Sequence, residues 1–375
     1  MKLEQRIDLL VELGEYCIST DPAWSAAKDR AHAANGWFTP EFIELAVRGI
    51  ITEFLKKDRL QTWTKKYRLQ PQPVQPRKIG LIMAGNIPLV GFHDFLSVFI
   101  SGHHQLIKPS AKDDILIRHL VEHLTKTDPA AAERIGFAER LNGCDAYIAT
   151  GSNNSARYFE YYFGKYPHLI RRNRTSVALL TGRETEQELE GLADDVYQYF
   201  GLGCRNVTQL YVPENYDFLP LLQAFRKYDY LSDLARYKHN YDYQLTLLIL
   251  NKKPYMSNES ILLTESDSPF SPISVLHYTY FRPGDTPPAL AGNHPDIQCL
   301  VGRENFGLRP QPSSELFHHV PSSVAFGGQN FTPNTVGHSF VNFASSFTPF
   351  GQAQRPALED YADGVDTLQF LRDLA

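Results

Sequence analysis

The chain has 375 residues, of which 43% are hydrophobic and 21% are charged, and its formal net charge is −5. This length suggests two large or closely packed domains, and the net charge gives no electrostatic reason to expect a nucleic-acid partner or an anionic membrane surface. No apolar run approaches the about 20 residues that span a bilayer, and the charged amphipathic start is unlike a signal peptide.

The four cysteines lie far apart in sequence, at positions 17, 144, 204 and 299, and none belongs to a CxxC pair. Such spacing indicates neither a disulfide framework nor a zinc site. The histidine pairs at 103–104 and 318–319 are adjacent residues, which point to opposite faces of a strand and do not form a natural chelate. We therefore expect a cytoplasmic protein without a metal site.

Residues 1–75 are predicted to form a helical N-terminal segment. Thr39 followed by Pro40 is a favourable helix start, and apolar pairs recur every four residues after it. The proline-rich stretch 70–76 then excludes a helix and is interpreted as a linker.

Strand and helix patterns alternate after the linker. Four short apolar runs are interpreted as strands, at residues 79–84, 105–107, 146–149 and 175–180. This alternation predicts an α/β fold with a parallel, doubly wound sheet. We place a nucleotide-binding domain at 76–180 and a catalytic domain at 181–375, with further strands at 209–212, 245–250 and 273–280 and a closing helix at 361–374.

Ligands of doubly wound sheets bind at the carboxyl ends of the strands. Polar side chains of this sequence follow the predicted strands at Asn86, Lys108 and Thr150–Gly151–Ser152. Asn86 could donate an amide N–H, Lys108 could hold a ribose or phosphate, and the Thr-Gly-Ser turn could approach a pyrophosphate. In isolation, each has a simpler interpretation as a turn residue or a solvated lysine.

Cys204 is preceded by Gly201 and Gly203, between a predicted helix and strand. Small neighbours let a substrate carbonyl approach the sulfur, and Arg205 with Asn206 could favour the reactive thiolate. A lone cysteine is more often a small buried hydrophobe. The basic run 171–174 is interpreted as a solvated loop, with binding of coenzyme A or nucleotide phosphates as the alternative.

The order of these pieces resembles the aldehyde dehydrogenase superfamily, and within it the acyl-CoA reductase family typified by the fatty-acid reductase of bacterial luminescence. The similar segments are NIPL at 86–89, LIKPS at 106–110, IATGS at 148–152, GLGC at 201–204, and FVN and PFG at 340–342 and 349–351. The resemblance implies that Cys204 is the nucleophile and Asn86 lines the oxyanion hole. It also implies cofactor contacts by Lys108, Ser110, Thr150, Gly151 and Ser152.

Departures from the family pattern are informative. Oxidising members carry a glutamate that activates water for deacylation, whereas residues 167–180 contain no carboxylate. A second family glutamate, which grips the nicotinamide ribose, is replaced by Ser268, and Glu265 is the nearby candidate for its role. Ala111 stands where family members carry the acid that selects NAD, which favours NADPH over NADH.

The sequence thus predicts an NAD(P)H-dependent acyl-CoA reductase that forms an aldehyde through a Cys204 acyl-enzyme. The alternatives are an aldehyde-oxidising dehydrogenase, a cysteine acyltransferase or thioesterase, and a non-catalytic binding protein on the same fold. The acyl donor is coenzyme A or a protein, and the resemblance leaves room for an acyl-protein synthetase partner. The family's oligomerisation hairpin is not recognisable, so the oligomeric state stays open.

Overall fold

The computed structural model describes residues 1–73, 75–282, 295–303 and 347–374. The N-terminal segment is helical, as predicted, with helices α1 (Leu3–Ile18), α2 (Pro22–Ala34), α3 (Pro40–Glu53) and α4 (Lys57–Lys66). Thr39 caps α3, since its Oγ1 accepts the Phe42 N–H at 3.3 Å. The apolar faces of these helices join one core with the first sheet and its helices.

The first sheet is parallel, with the strand order β3-β2-β1-β4-β5. Its elements in chain order are β1 (Lys78–Ile82), α5 (Phe92–Ser101), β2 (His104–Lys108), α6 (Ile115–Thr127), α7 (Pro129–Ala132), β3 (Ile135–Phe137), β4 (Ala146–Thr150), α8 (Asn153–Phe163) and β5 (His168–Arg171). The order reverses at β1, so a ligand crevice is expected at the carboxyl ends of β1 and β4. The α/β class and the doubly wound sheet are confirmed.

The second sheet has the order β11-β6-β7-β10-β9-β8, and its pairs are parallel except β8 with β9. Its elements are β6 (Thr175–Leu179), α9 (Glu186–Tyr197), β7 (Val207–Pro213), α10 (Leu219–Ala224), α11 (Ala235–Leu250), β8 (Met256–Ser257), β9 (Leu262–Glu265), β10 (Val275–Phe281) and β11 (Ile297–Val301). A separate apolar core fills the space beneath α9 and α10.

The run at 175–180 is a strand, as predicted, but not in the sheet expected for it. It was placed in the nucleotide-binding domain, whereas β6 pairs with β7 and β11 in the second sheet. Only residues 172–174 separate β5 from β6, and this link is too short for the crossover that two parallel neighbours of one sheet need. The chain therefore leaves the first sheet before Thr175, earlier than the domain boundary placed at 180.

The run at 245–250 was expected to be a strand, but it is the last part of α11. Leu245 and Leu248 pack with Tyr241 against the second sheet, a spacing of three and four residues that is typical of a helix face. A short apolar run does not by itself distinguish the two structures.

The last described segment crosses back from the second sheet to the N-terminal helices. The carboxylate of Asp195, which is fully buried in α9, accepts the N–H groups of Gly351 and Ala353 at 2.7 and 2.9 Å. Further on, the Tyr361 hydroxyl accepts the indole N–H of Trp63 at 2.8 Å. The closing helix α12 (Thr367–Asp373) is shorter than predicted.

No helix in the described parts of the chain combines the length and the hydropathy that crossing a bilayer requires.

Candidate active site

Cys204 lies in a turn between a 3-10 helix (Gln198–Gly201) and the start of β7. The Asn206 side chain stabilises this turn by two hydrogen bonds to its backbone. Its Oδ1 accepts the Gly203 N–H at 2.8 Å, and its Nδ2 donates to the Gln198 carbonyl at 2.8 Å. Asn206 is fully buried and a third bond joins it to Asp195. Its described bonds shape the turn, whereas we had expected it to favour the thiolate.

The Cys204 thiol is half-buried, and burial raises its pKa to about 11. The Arg205 guanidinium opposes this effect and lowers the pKa, while Cys299 and the carboxylate of Asp363 add to the increase. Arg205 donates to Cys299 Sγ at 3.1 Å and to the Asp360 carbonyl at 2.8 Å. The guanidinium is thus held beside the thiol by groups more than 90 residues away in sequence.

Asn86 belongs to the loop after β1 and reaches this turn from the other sheet. Its Nδ2 donates to the Leu202 carbonyl at 2.7 Å, two residues before Cys204. The same loop is anchored on its far side, where the Leu89 N–H donates to a carboxylate oxygen of the buried Asp113 at 2.6 Å. The structure therefore brings Asn86 and the Cys204 segment together.

The proposed cofactor contacts share the carboxyl edge of the first sheet. Lys108 ends β2 and Thr150 ends β4, the two strands that flank β1. Ser152 caps α8 by accepting the Ser155 N–H at 3.2 Å. At the end of β1, a Cβ on Gly85 would lie 2.5 Å from Ser110 Oγ, so only glycine lets these two turns approach each other. This edge is lined by small and hydroxyl-bearing residues and an exposed lysine, a set that fits a dinucleotide phosphate backbone.

No protein-family model matches the chain, and no curated protein sequence matches it. Solved structures do. An aldehyde dehydrogenase of Mycobacterium tuberculosis complexed with NAD⁺ superposes with a TM-score of 0.57 at 11% identity, covering 78% of this chain and 70% of that one. An NAD-dependent aldehyde dehydrogenase of Sinorhizobium meliloti gives 0.55 at 13% identity, with 78% and 68% covered. A mutant aldehyde dehydrogenase C of Pseudomonas syringae, complexed with NAD⁺ and octanal, gives 0.53 at 12% identity, with 76% and 68% covered.

The chain has the aldehyde dehydrogenase fold. The two sheets of the fold contribute one loop each to the candidate site, Asn86 from the first sheet and Cys204 from the second. Of the family-like segments, FVN at 340–342 lies outside the described residues, whereas PFG at 349–351 is the segment held by Asp195.

Glu265, which is expected to hold the nicotinamide ribose, lies two strands away from β7 in the second sheet. It is the last residue of β9, and β10 separates β9 from β7. Tyr278 of β10 pairs with Glu265 on one side and with Leu210 of β7 on the other. Glu265 is therefore level with a residue that lies six positions after Cys204. The contact of Glu265 with the nicotinamide ribose stays a prediction.

The basic run 171–174 is neither a solvated loop throughout nor a free phosphate site. Arg171 is buried and pairs with Asp94, and Arg174 Nε lies 3.1 Å from Asp363 Oδ1. Of the three arginines, only Arg172 is exposed, and it pairs with Glu160. Sequence spacing gave no signal for these pairs, or for Cys299 beside Arg205.

The raised pKa of Cys204 predicts a steep pH dependence of its alkylation. Below a pKa of about 11, the thiolate fraction grows by about tenfold per pH unit, so the rate with iodoacetamide should rise continuously from pH 7 to pH 10. Mass spectrometry of the Cys204 peptide measures the rate, and the buried Cys17 and Cys144 in the same sample are internal controls. An alkylation rate that stops rising below pH 9 would show that burial does not dominate the pKa of Cys204.

Proposed function

We propose that the protein reduces an acyl thioester to an aldehyde with a nicotinamide cofactor, and that Cys204 is the nucleophile. The observation that carries this proposal is the hydrogen bond from the Asn86 amide to the Leu202 carbonyl. It joins the loop at the carboxyl edge of the dinucleotide-type sheet to the turn that holds the thiol. A reactive thiol, an amide donor and a cofactor edge are the three parts that acyl reduction needs.

The acyl chemistry follows from this chain's own groups. The Cys204 thiolate attacks the thioester carbonyl, and the developing oxyanion accepts from the Cys204 N–H and from the second Asn86 amide N–H, the one that does not bind the Leu202 carbonyl. The bond to the donor sulfur then breaks, so the donor thiol leaves and the acyl group stays on Cys204. Arg205 is the cation that favours the attacking thiolate.

Lys108, Ser110 and the turn of Thr150, Gly151 and Ser152 would hold a nicotinamide dinucleotide, which would supply the hydride for reduction of the acyl carbon. Cys204 is then the leaving group as the aldehyde forms. We favour NADPH, because Ala111 puts no carboxylate near a 2′-phosphate and the exposed Lys112 follows it.

Reduction is favoured over hydrolysis because the carboxylates described around Arg171 and Arg174 are engaged in ion pairs. Residues 167–180 contain no carboxylate, and the strand end at this place is Arg171. Asp94 pairs with Arg171, and Asp363 accepts from Arg174. A carboxylate that neutralises a guanidinium is a poor base for activating water.

The experiment is an anaerobic mixture of the protein, NADPH and acyl-CoA of increasing chain length, followed by NADPH absorbance and aldehyde trapping. Parallel arms replace NADPH by NADH and acyl-CoA by an acyl carrier protein. Chain-length-dependent NADPH loss with trapped aldehyde supports the proposal and defines the donor. Release of coenzyme A with intact NADPH or NADH would overturn the redox step and favour an acyltransferase or thioesterase.

One observation favours a second candidate, aldehyde oxidation. The Asp363 carboxylate is close enough to Cys204 to raise its pKa, and burial raises the pKa of Asp363 itself. Should Arg174 release it, Asp363 would be the available base. Acid formation from aldehyde and NADP⁺ without coenzyme A, abolished in Asp363→Asn, would favour this candidate over the reductase.

Asn86→Ala should lower turnover by on the order of 10²-fold, because one oxyanion donor is lost. KM should change little, since the amide acts mainly on the transition state. Steady-state kinetics measures both constants, and thermal unfolding checks that the variant is folded. Asn86→Asp is the matched variant, because it keeps the size but removes the N–H donors, and it should be at least as impaired. Unchanged turnover in both would contradict the role of Asn86.

A further inference from the structure

The turn before Cys204 is left-handed over three consecutive residues. Tyr199 and Phe200 have φ values of 54° and 59°, and Gly201 has 72°. Side chains with a Cβ rarely adopt this region, and such residues persist only where their surroundings hold them. Both aromatic side chains are buried, at 5% and 3% exposure. The conformation is therefore maintained by packing.

The N-terminal helical segment contributes two of the rings that pack on this turn, and Tyr237 of α11 contributes a more distant one, with its centroid 6.0 Å from that of Phe200. The Phe42 ring centroid lies 5.4 Å from that of Tyr199 and 4.9 Å from that of Phe200. The Trp37 ring meets Phe200 edge-on at 5.0 Å. Phe42 is buried in the core of the second sheet, whereas Phe38, four residues earlier, belongs to the core of the first.

Backbone bonds connect this turn to the reacting groups. The Leu202 N–H donates to the Tyr199 carbonyl at 3.1 Å, and the Leu202 carbonyl accepts the Asn86 amide at 2.7 Å. Cys204 follows two residues later. A displacement of Tyr199 or Phe200 would therefore move Leu202, and with it the alignment of Cys204 and Asn86.

We propose that Phe42 and Trp37 are positioning residues, which hold the left-handed turn and thereby fix Cys204 opposite Asn86. The N-terminal helical segment then has a role in the site of the second sheet, to which it contributes no reacting group. The expected effect on turnover rests on the proposed function. The packing of Phe42 and Trp37 on the turn does not depend on which reaction the site performs.

Phe42→Leu is the direct test. Phe38→Leu is the matched control, because it also removes a buried phenylalanine ring from the N-terminal segment. In Phe42→Leu we expect kcat to fall by about tenfold or more with KM nearly unchanged, because small displacements of reacting groups are costly. Its Cys204 should be alkylated faster at pH 8, since a loosened turn admits water to the sulfur and moves its pKa down from about 11. Phe38→Leu should lower the unfolding temperature without either change.

Trp37→Leu is the second variant, because Trp37 is only half-buried and its loss is less harmful to folding. It should lower kcat and raise the rate of Cys204 alkylation, each by a smaller factor than Phe42→Leu. Equal kcat and equal alkylation in Phe42→Leu and Phe38→Leu would overturn the proposal. Native protein without reductase activity would instead overturn the proposed function, and the difference in alkylation between the variants would still report on the turn.

Discussion

In Cys204→Ala, NADPH consumption with an acyl thioester is expected to fall by on the order of 10⁴-fold or more, because the proposed acyl-enzyme cannot form without the Cys204 sulfur. The same variant should also fail to accumulate an acyl adduct when the cofactor is omitted. Intact-protein mass spectrometry with acyl-CoA alone measures this adduct, and stopped-flow absorbance measures NADPH consumption.

Cys299→Ala is the matched control, since Cys299 is a buried thiol of the same site. Its sulfur accepts from Arg205 at 3.1 Å, so its loss frees one guanidinium N–H and should change turnover only a few-fold. An acyl adduct that persists in Cys204→Ala and disappears in Cys299→Ala would reassign the nucleophile to Cys299.

Much of the fold could be predicted because its signals are local. The apolar runs at β1, β2 and β4 are each followed by a helical pattern, which is enough to indicate a doubly wound sheet. The assignment of β6 failed because strand patterns do not specify which sheet a strand joins. The length of the link before it, residues 172–174, was the available signal, since it is too short for a crossover.

The candidate site could be predicted in part for a related reason. Asn86 and Cys204 were found because each lies beside turn glycines at the end of an element, and they meet because the two loops face each other. The groups that tune Cys204, such as Asp363 and Cys299, come from remote segments with no common motif. The role of Glu265 stays a prediction, because the register of β9 and β10 shows where this residue lies in the sheet and not what it binds.

The left-handed turn at Tyr199 and Phe200 shows a further limit. Two aromatic residues give no sequence indication of positive φ, because glycine and asparagine are the usual signals. Tertiary packing against Phe42 overrides the local preference of these residues. Strain of this kind is expected near functional groups, where the surroundings rather than the local sequence decide the backbone.

Asp94→Ala is expected to lower the free energy of unfolding by about 3–5 kcal/mol, because it leaves the Arg171 guanidinium buried without its counter-charge. The side chains of Arg171 and Asp94 are only 4% and 11% exposed, and Arg171 Nη2 donates to Thr367 Oγ1 at 2.7 Å. The pair thus joins the end of β5 to α5 and to the closing helix α12. Among the described residues, Arg171 Nε already lacks a hydrogen-bond partner, so little compensation is available.

Glu160→Ala is the control, since it removes the partner of Arg172 from an exposed pair and should change stability by no more than about 0.5 kcal/mol. Urea unfolding followed by fluorescence measures both variants. A similar small change in both would show that water reaches Arg171 in Asp94→Ala. The expected large difference would instead mean that the end of β5 is held by a dry ion pair, in which the Asp94 carboxylate is engaged by Arg171 and is not free to activate water.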